Sequence, residues 1–147
     1  MNPTVQELLR EYPHHCQITV QWCDMDANQH VNNAVYPSWS EHARIQYFIR
    51  MEQEMAPGIT LTPILGELTC KYIFPATFPD TIWMGTRSYQ FLADRFLMET
   101  LMVSQRHERV VARVRATLVN YDYTHLVKAP LPEGLEAALL AFEERLG

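Results

Sequence analysis

One pattern limits the fold more than any other: a single long helical run is followed by four strand-like runs joined by short links. From about Asn33 to Met51, apolar residues recur at helical spacing, with Tyr36, Trp39, Ala43 and Tyr47 on one face and Val35 and Phe48 beside it. Leu68, Cys70, Tyr72 and Phe74 then alternate with Glu67, Thr69 and Lys71, the period of a half-buried strand. Further strands are predicted over Thr81 to Phe91, Arg95 to Gln105 and Arg109 to Tyr121, with turns at 75–80 and at Arg106, His107 and Glu108. In the last strand Val110, Ala112, Val114, Ala116 and Leu118 share one face while Arg113 and Arg115 take the other. Strands linked this closely pair antiparallel, so the pattern implies an α+β fold: an antiparallel sheet curled against one buried helix.

The remaining segments complete that layout. Thr4 and Glu7 form a capping box for a short helix that Pro13 ends, and Cys16, Ile18, Val20 and Trp22 alternate as a first strand. Pro37 lies far enough inside the long helix to delay its start, and Asn32 or Asn33 is suited to cap it. The stretch from Met55 to Pro63, with two prolines and a glycine, reads as loop. A closing helix is expected from Pro132, with Leu135, Ala138, Leu139, Phe142 and Leu146 as its apolar stripe. No repeat or linker divides the chain, so residues 1–147 are expected to form one domain. Five strands leave two sheet edges to protect, which points to at least a homodimer.

Composition excludes several classes of function. A net charge of −5 argues against general nucleic-acid binding, which needs a basic surface. Cys16, Cys23 and Cys70 form no CxxC pair and are expected to be reduced thiols. Neither a membrane span nor the apolar core of a signal peptide is present, so a cytoplasmic protein is expected. Apart from Lys71 and Lys128 the positive charge is all arginine, whose planar fork suits phosphate and carboxylate.

The segment from Trp22 to Asn33 concentrates polar chemistry between a strand and a helix start. Asp24, Asp26, His30, Asn32 and Asn33 fall within it. Such a loop can simply turn the chain and cap the helix, since Asp and Asn side chains bind nearby backbone amides. A metal could take Asp24, Asp26 and His30, but no further strong ligand stands at helix or strand spacing, and no metal is expected. The same group could equally form a reaction site held by rigid elements.

The run Asp24-x-Asp26-x-x-x-His30-Val-Asn-Asn33-x-x-Tyr36, with Glu41-His-Ala-Arg44 after it, resembles the opening signature of the 4-hydroxybenzoyl-CoA thioesterase family of hot-dog-fold acyl-CoA thioesterases. Tyr72-x-x-Pro75, Asp80 before a strand and Pro130-Leu-Pro132 extend the likeness over nearly the whole chain. The resemblance implies a five-stranded antiparallel sheet around one long helix, the layout the periodicity predicts. It implies that Asp26 is the catalytic carboxylate, as nucleophile or general base, and that the Asn33 amide is the oxyanion donor. His30, Asn32 and Asp24 then support the loop, and the Tyr36 and Trp39 face lines an acyl pocket suited to an aryl or a fatty chain. Arg87, Arg113 and Arg115 become candidates for the phosphates of coenzyme A, which would enter as part of the substrate with no bound cofactor. Each arginine can instead be solvated or paired with a glutamate. Glu41 is a second candidate base, or pairs with Arg44 three residues on. The same fold also hosts acyl-carrier-protein thioesterases, hydratases and dehydratases, and acyl-binding modules without chemistry, and a dimer or tetramer is expected.

Overall fold

The structure, a computed structural model, describes residues 1–54 and 61–147. In chain order it contains α1 (Pro3–Leu8), β1 (His14–Thr19), α2 (Val35–Glu54), β2 (Pro63–Tyr72), β3 (Thr81–Tyr89), β4 (Arg95–Ser104), β5 (Arg109–Asp122), a short β6 (Val127–Lys128) and α3 (Leu135–Leu146). The sheet order is β1-β3-β4-β5-β2 with every neighbour antiparallel, and β6 pairs with the end of β5. The sheet curls around α2, the hot-dog arrangement.

Alternation along the strands builds two apolar layers. Inward residues such as Ile82, Met84, Met102, Ala112 and Val114 meet Tyr36, Trp39 and Ala43 of α2. Phe96, Met98, Ala116 and Leu118 meet Tyr47 and Met51 farther along the helix, under Leu135, Leu139 and Phe142 of α3. The helix face read from the sequence is therefore the buried one, and each large side chain on it contributes roughly 1.5–3 kcal/mol by leaving water. On the outer surface of the sheet, α1 lays Val5, Leu9 and then Tyr12 against Leu101 and Val103. Gly85 allows that approach, because a Cβ there would stand 2.5 Å from Tyr12 Cβ.

Several boundaries differ from expectation. The cap of α1 is Asn2, whose side chain accepts from Val5 N, with Pro3 in the first turn, so Thr4 and Glu7 do not cap it. The first strand stops at Thr19: residues Trp22–Asp24 form a single 3₁₀ turn that leaves Trp22 74% exposed. The long helix starts two residues late, at Val35, which puts Pro37 in the first turn where amides lack intrahelical acceptors anyway. Of the expected loop from Met55 to Pro63, residues 55–60 lie outside the described residues, and Pro63 already belongs to β2. The pairing of β4 with β5 slips between Met102 and Val103, so Val111 takes the inward place expected for Val110, which packs on the outer layer. The last helix begins at Leu135 rather than Pro132, and β6 had no counterpart in the pattern.

Candidate active site

Asp24 to Asn32 folds into a small hairpin. Asn32 N donates to Asp24 O (2.9 Å), Met25 bridges Val31, and Asp26 N donates to His30 O (3.0 Å). The tip closes through Gln29 N to Asp26 O (3.0 Å), with Gln29 in the left-handed region at φ 62°. Asp24 Oδ2 accepts from Gln21 N (2.8 Å), which anchors the outgoing limb. Asp26 is half-buried at the tip, with Oδ1 accepting from Asn28 N (2.8 Å), while the His30 side chain is exposed. Val31 N donates to Ala76 O (2.9 Å) and ties the hairpin to the segment after β2.

The return limb runs straight into α2. Asn32 accepts from Val35 N through its carbonyl and from Ala34 N through Oδ1, both at 2.9 Å, so Asn32 rather than Asn33 closes the turn that leads into the helix. The Asn33 amide finds no acceptor among the described residues. It is left at the positive end of a long helix, where an anion is stabilised. Tyr72 Oη donates to Asn33 O (2.8 Å) and holds that peptide against β2.

Asn33 opens on a cavity of about 220 Å³ lined by Val31, Asn33, Tyr36, Tyr72, Phe74 and their neighbours Ile73 and Pro75. Tyr36 packs edge-on against Tyr72 (ring centroids 5.2 Å apart), and its hydroxyl accepts from Ala76 N (3.0 Å). Burial pushes the Tyr36 hydroxyl above its ordinary pKa, so it stays protonated and can be both acceptor and donor. The cavity thus joins an uncommitted amide to an aromatic wall.

The candidate residues scatter into four places. Asn33 and Tyr36 line the cavity; Asp26, His30, Asp24 and Asn32 form the hairpin beside it; Trp39 is buried in the inner core against Tyr36. Arg87, Arg113 and Arg115 stand on the outer surface of the sheet. There Arg87 and Arg115 each approach Glu99 Oε2 at 3.4 Å, and Tyr12 Oη donates to Glu99 Oε1 (2.5 Å). Burial alone would raise the Glu99 carboxyl, but the Tyr12 hydrogen bond and the two guanidiniums outweigh it and hold it below the usual range. Glu41 is exposed and makes no ion pair with Arg44, which is buried and donates to Ser40 Oγ (3.1 Å). Tyr72 and Phe74, read only as strand residues, are cavity walls; the Tyr72-x-x-Pro75 likeness was the one signal for them. Among the described residues no three His, Cys, Asp or Glu side chains come together as metal ligands, and no helix is long and apolar enough to cross a membrane.

Residues 20–139 match the thioesterase-like superfamily. No curated protein matches the chain. A thioesterase from Thermus thermophilus, crystallised with coenzyme A and zinc, is 28% identical, with a TM-score of 0.76 over 91% of this chain and 97% of that one. A putative thioesterase from Pseudomonas aeruginosa is 23% identical, with a TM-score of 0.74 over 86% of this chain and 98% of that one. A 1,4-dihydroxy-2-naphthoyl-CoA thioesterase from Synechocystis is 18% identical, with a TM-score of 0.72 over 86% of this chain and 94% of that one. The last two likenesses are of fold alone.

Proposed function

The chain belongs to the thioesterase-like superfamily, and from that premise we propose that it hydrolyses an acyl-CoA thioester to a free acid and coenzyme A, in the manner of the 4-hydroxybenzoyl-CoA thioesterases. One observation carries this: Asn33, whose amide has no acceptor among the described residues, lines an apolar cavity beside the start of α2 that is able to receive an acyl group. A thioester carbonyl seated there places its oxygen where negative charge is stabilised as the tetrahedral intermediate forms.

Asp26 supplies the second component. Its Oδ1 is held by Asn28 N, which aims the carboxylate without neutralising it. As general base it takes a proton from water while the water oxygen bonds to the carbonyl carbon. As nucleophile it bonds to that carbon itself, and water then cleaves the resulting anhydride. In both routes the C–S bond breaks when the oxyanion collapses, and the thiolate of coenzyme A leaves. The loop hydrogen bonds of Asp24 and Asn32 hold the two groups in register. The two edges of the sheet support a homodimer or homotetramer as the active form, and the half-exposed Tyr72 of the cavity lining offers a surface for a second copy to cover.

Thiol release from a panel of short, long, branched and aromatic acyl-CoAs, run on wild type and Asp26→Asn, tests the proposal. Turnover that drops by about 10²–10⁴-fold in the variant is expected. Wild-type turnover in Asp26→Asn would remove Asp26 from the mechanism, and no release on any substrate would remove the reaction.

A further inference from the structure

Phe74 has two neighbourhoods. It lines the cavity beside Asn33, and its ring carries Arg109, whose guanidinium carbon stands 4.2 Å from the ring centroid, with the His107 ring 5.1 Å away. His107 lies in the β4–β5 turn, which also contains Arg106, and Arg109 opens β5 directly after it; all three side chains are exposed. Among the described residues none of them forms an ion pair with a carboxylate. The turn's own acid, Glu108, accepts from Asn2 Nδ2 (3.2 Å) at the start of α1.

The turn is also held in shape from below. Asp80, buried, accepts from Arg106 N (3.0 Å) and Thr81 N (2.7 Å) through Oδ1 and from Ser104 Oγ through Oδ2; Ser104 Oγ in turn accepts from His107 N (3.0 Å). A buried carboxylate thus fixes the backbone of a turn beside which Arg106 and Arg109 hold guanidiniums with no carboxylate partner among the described residues, a geometry suited to an anion. Arg87 and Arg115, by contrast, share Glu99 and lie across the sheet from the cavity.

We propose that Arg109, with Arg106 and His107, binds the phosphates of the nucleotide end of coenzyme A, while Phe74 marks the path of the pantetheine arm into the cavity. This rests on the acyl-CoA reading of the site. It also separates two thioester donors: a carrier protein presents the pantetheine arm without the nucleotide, so the turn favours the free coenzyme A ester.

The test is calorimetric binding of coenzyme A and of pantetheine to wild type and Arg109→Ala, with thiol release measured alongside. Coenzyme A is expected to bind wild type more tightly than pantetheine does, and the ratio should fall by about tenfold in Arg109→Ala, the loss of one charge-assisted contact. Raised salt should narrow the ratio in wild type in the same direction. An unchanged ratio in Arg109→Ala, or a ratio that falls only in Arg113→Ala, would overturn the assignment. Because binding is read without turnover, coenzyme A recognition that persists in a protein releasing no thiol strikes the hydrolase reading and leaves the turn site standing. An unchanged melting temperature in Arg109→Ala shows that the variant is folded.

Discussion

Tyr36 and Tyr47 occupy the same face of α2, about three turns apart, and do different work. Tyr36 meets the inner face of the sheet with no second helix over it among the described residues; its ring packs against Tyr72 at the end of β2, its hydroxyl accepts from Ala76 N, and a cavity remains. Tyr47 lies beneath α3. Its hydroxyl donates to Glu143 Oε1 (2.7 Å) and accepts from Ser88 Oγ (2.9 Å), and its ring packs edge-on against Phe142 and His14 at 5.1 and 5.6 Å. Burial pushes both the Tyr47 hydroxyl and the Glu143 carboxyl upward, while the hydrogen bonds that the carboxyl accepts from Tyr47 Oη and Ser88 N pull it back. One helix face thus yields an open end beside the candidate site and a sealed, structural end. The difference is what crosses it: a second helix closes the space, and a short loop does not.

That contrast predicts opposite responses at the two ends. The largest effect is at the open end: Asp26→Asn should lower kcat by about 10²–10⁴-fold with no change in melting temperature, since the asparagine Oδ1 still accepts from Asn28 N. At the sealed end, Phe142→Ala should cost about 3–5 kcal/mol in urea denaturation through the cavity it leaves, with kcat per folded molecule kept. Loss of activity per folded molecule in Phe142→Ala would break the division between the ends.

The third prediction concerns pH. His14 is buried beside Tyr47 with Nδ1 unpartnered, and burial first, then the charges of His15 and Arg50, push its pKa down from 6.5 to about 4. Between those values the unfolded chain binds the proton and the folded chain does not. Stability therefore falls as pH drops from about 6.5 to about 4, by on the order of 3 kcal/mol from this group. His14→Phe should flatten that segment of the stability–pH curve, and an identical curve would show that His14 is not the sealed end's acid-sensitive group. The smallest effect returns to the cavity: Tyr72→Phe removes the hydrogen bond to Asn33 O and should lower kcat/KM about fivefold, the equivalent of roughly 1 kcal/mol.

Much of this was legible in the residues in order. The inward face of α2 and the four later strands follow from periodicity, because each depends on neighbours within a few positions; the polar segment before α2 read as a loop, and its hairpin pairing came only with the structure. Boundaries were less so. Asn2 outcompeted Thr4 as a cap because Pro3 is preset for a first helical turn, and the early end of β1 reflects the 3₁₀ turn at Trp22, which alternation alone cannot reveal. The inward place of Val111 depends on a slip in the β4–β5 pairing, set by two strands together.

The family resemblance implied the candidate chemistry of Asp26 and Asn33; by itself the sequence determined the helix-and-sheet plan and the face of most regular residues, Val110 and Val111 excepted. Local repulsion, alternation and capping decide those things wherever the segment is placed. Tertiary structure alone decided which side chains share a space: Tyr72 and Phe74 with Asn33, Arg109 with Phe74, Glu99 between Arg87 and Arg115, and Glu143 with Tyr47. Each of those meetings comes from strand pairing or helix packing between distant segments. Charge and aromaticity are properties of residues, but whether an arginine is free to take a phosphate depends on whether folding has brought a carboxylate to it.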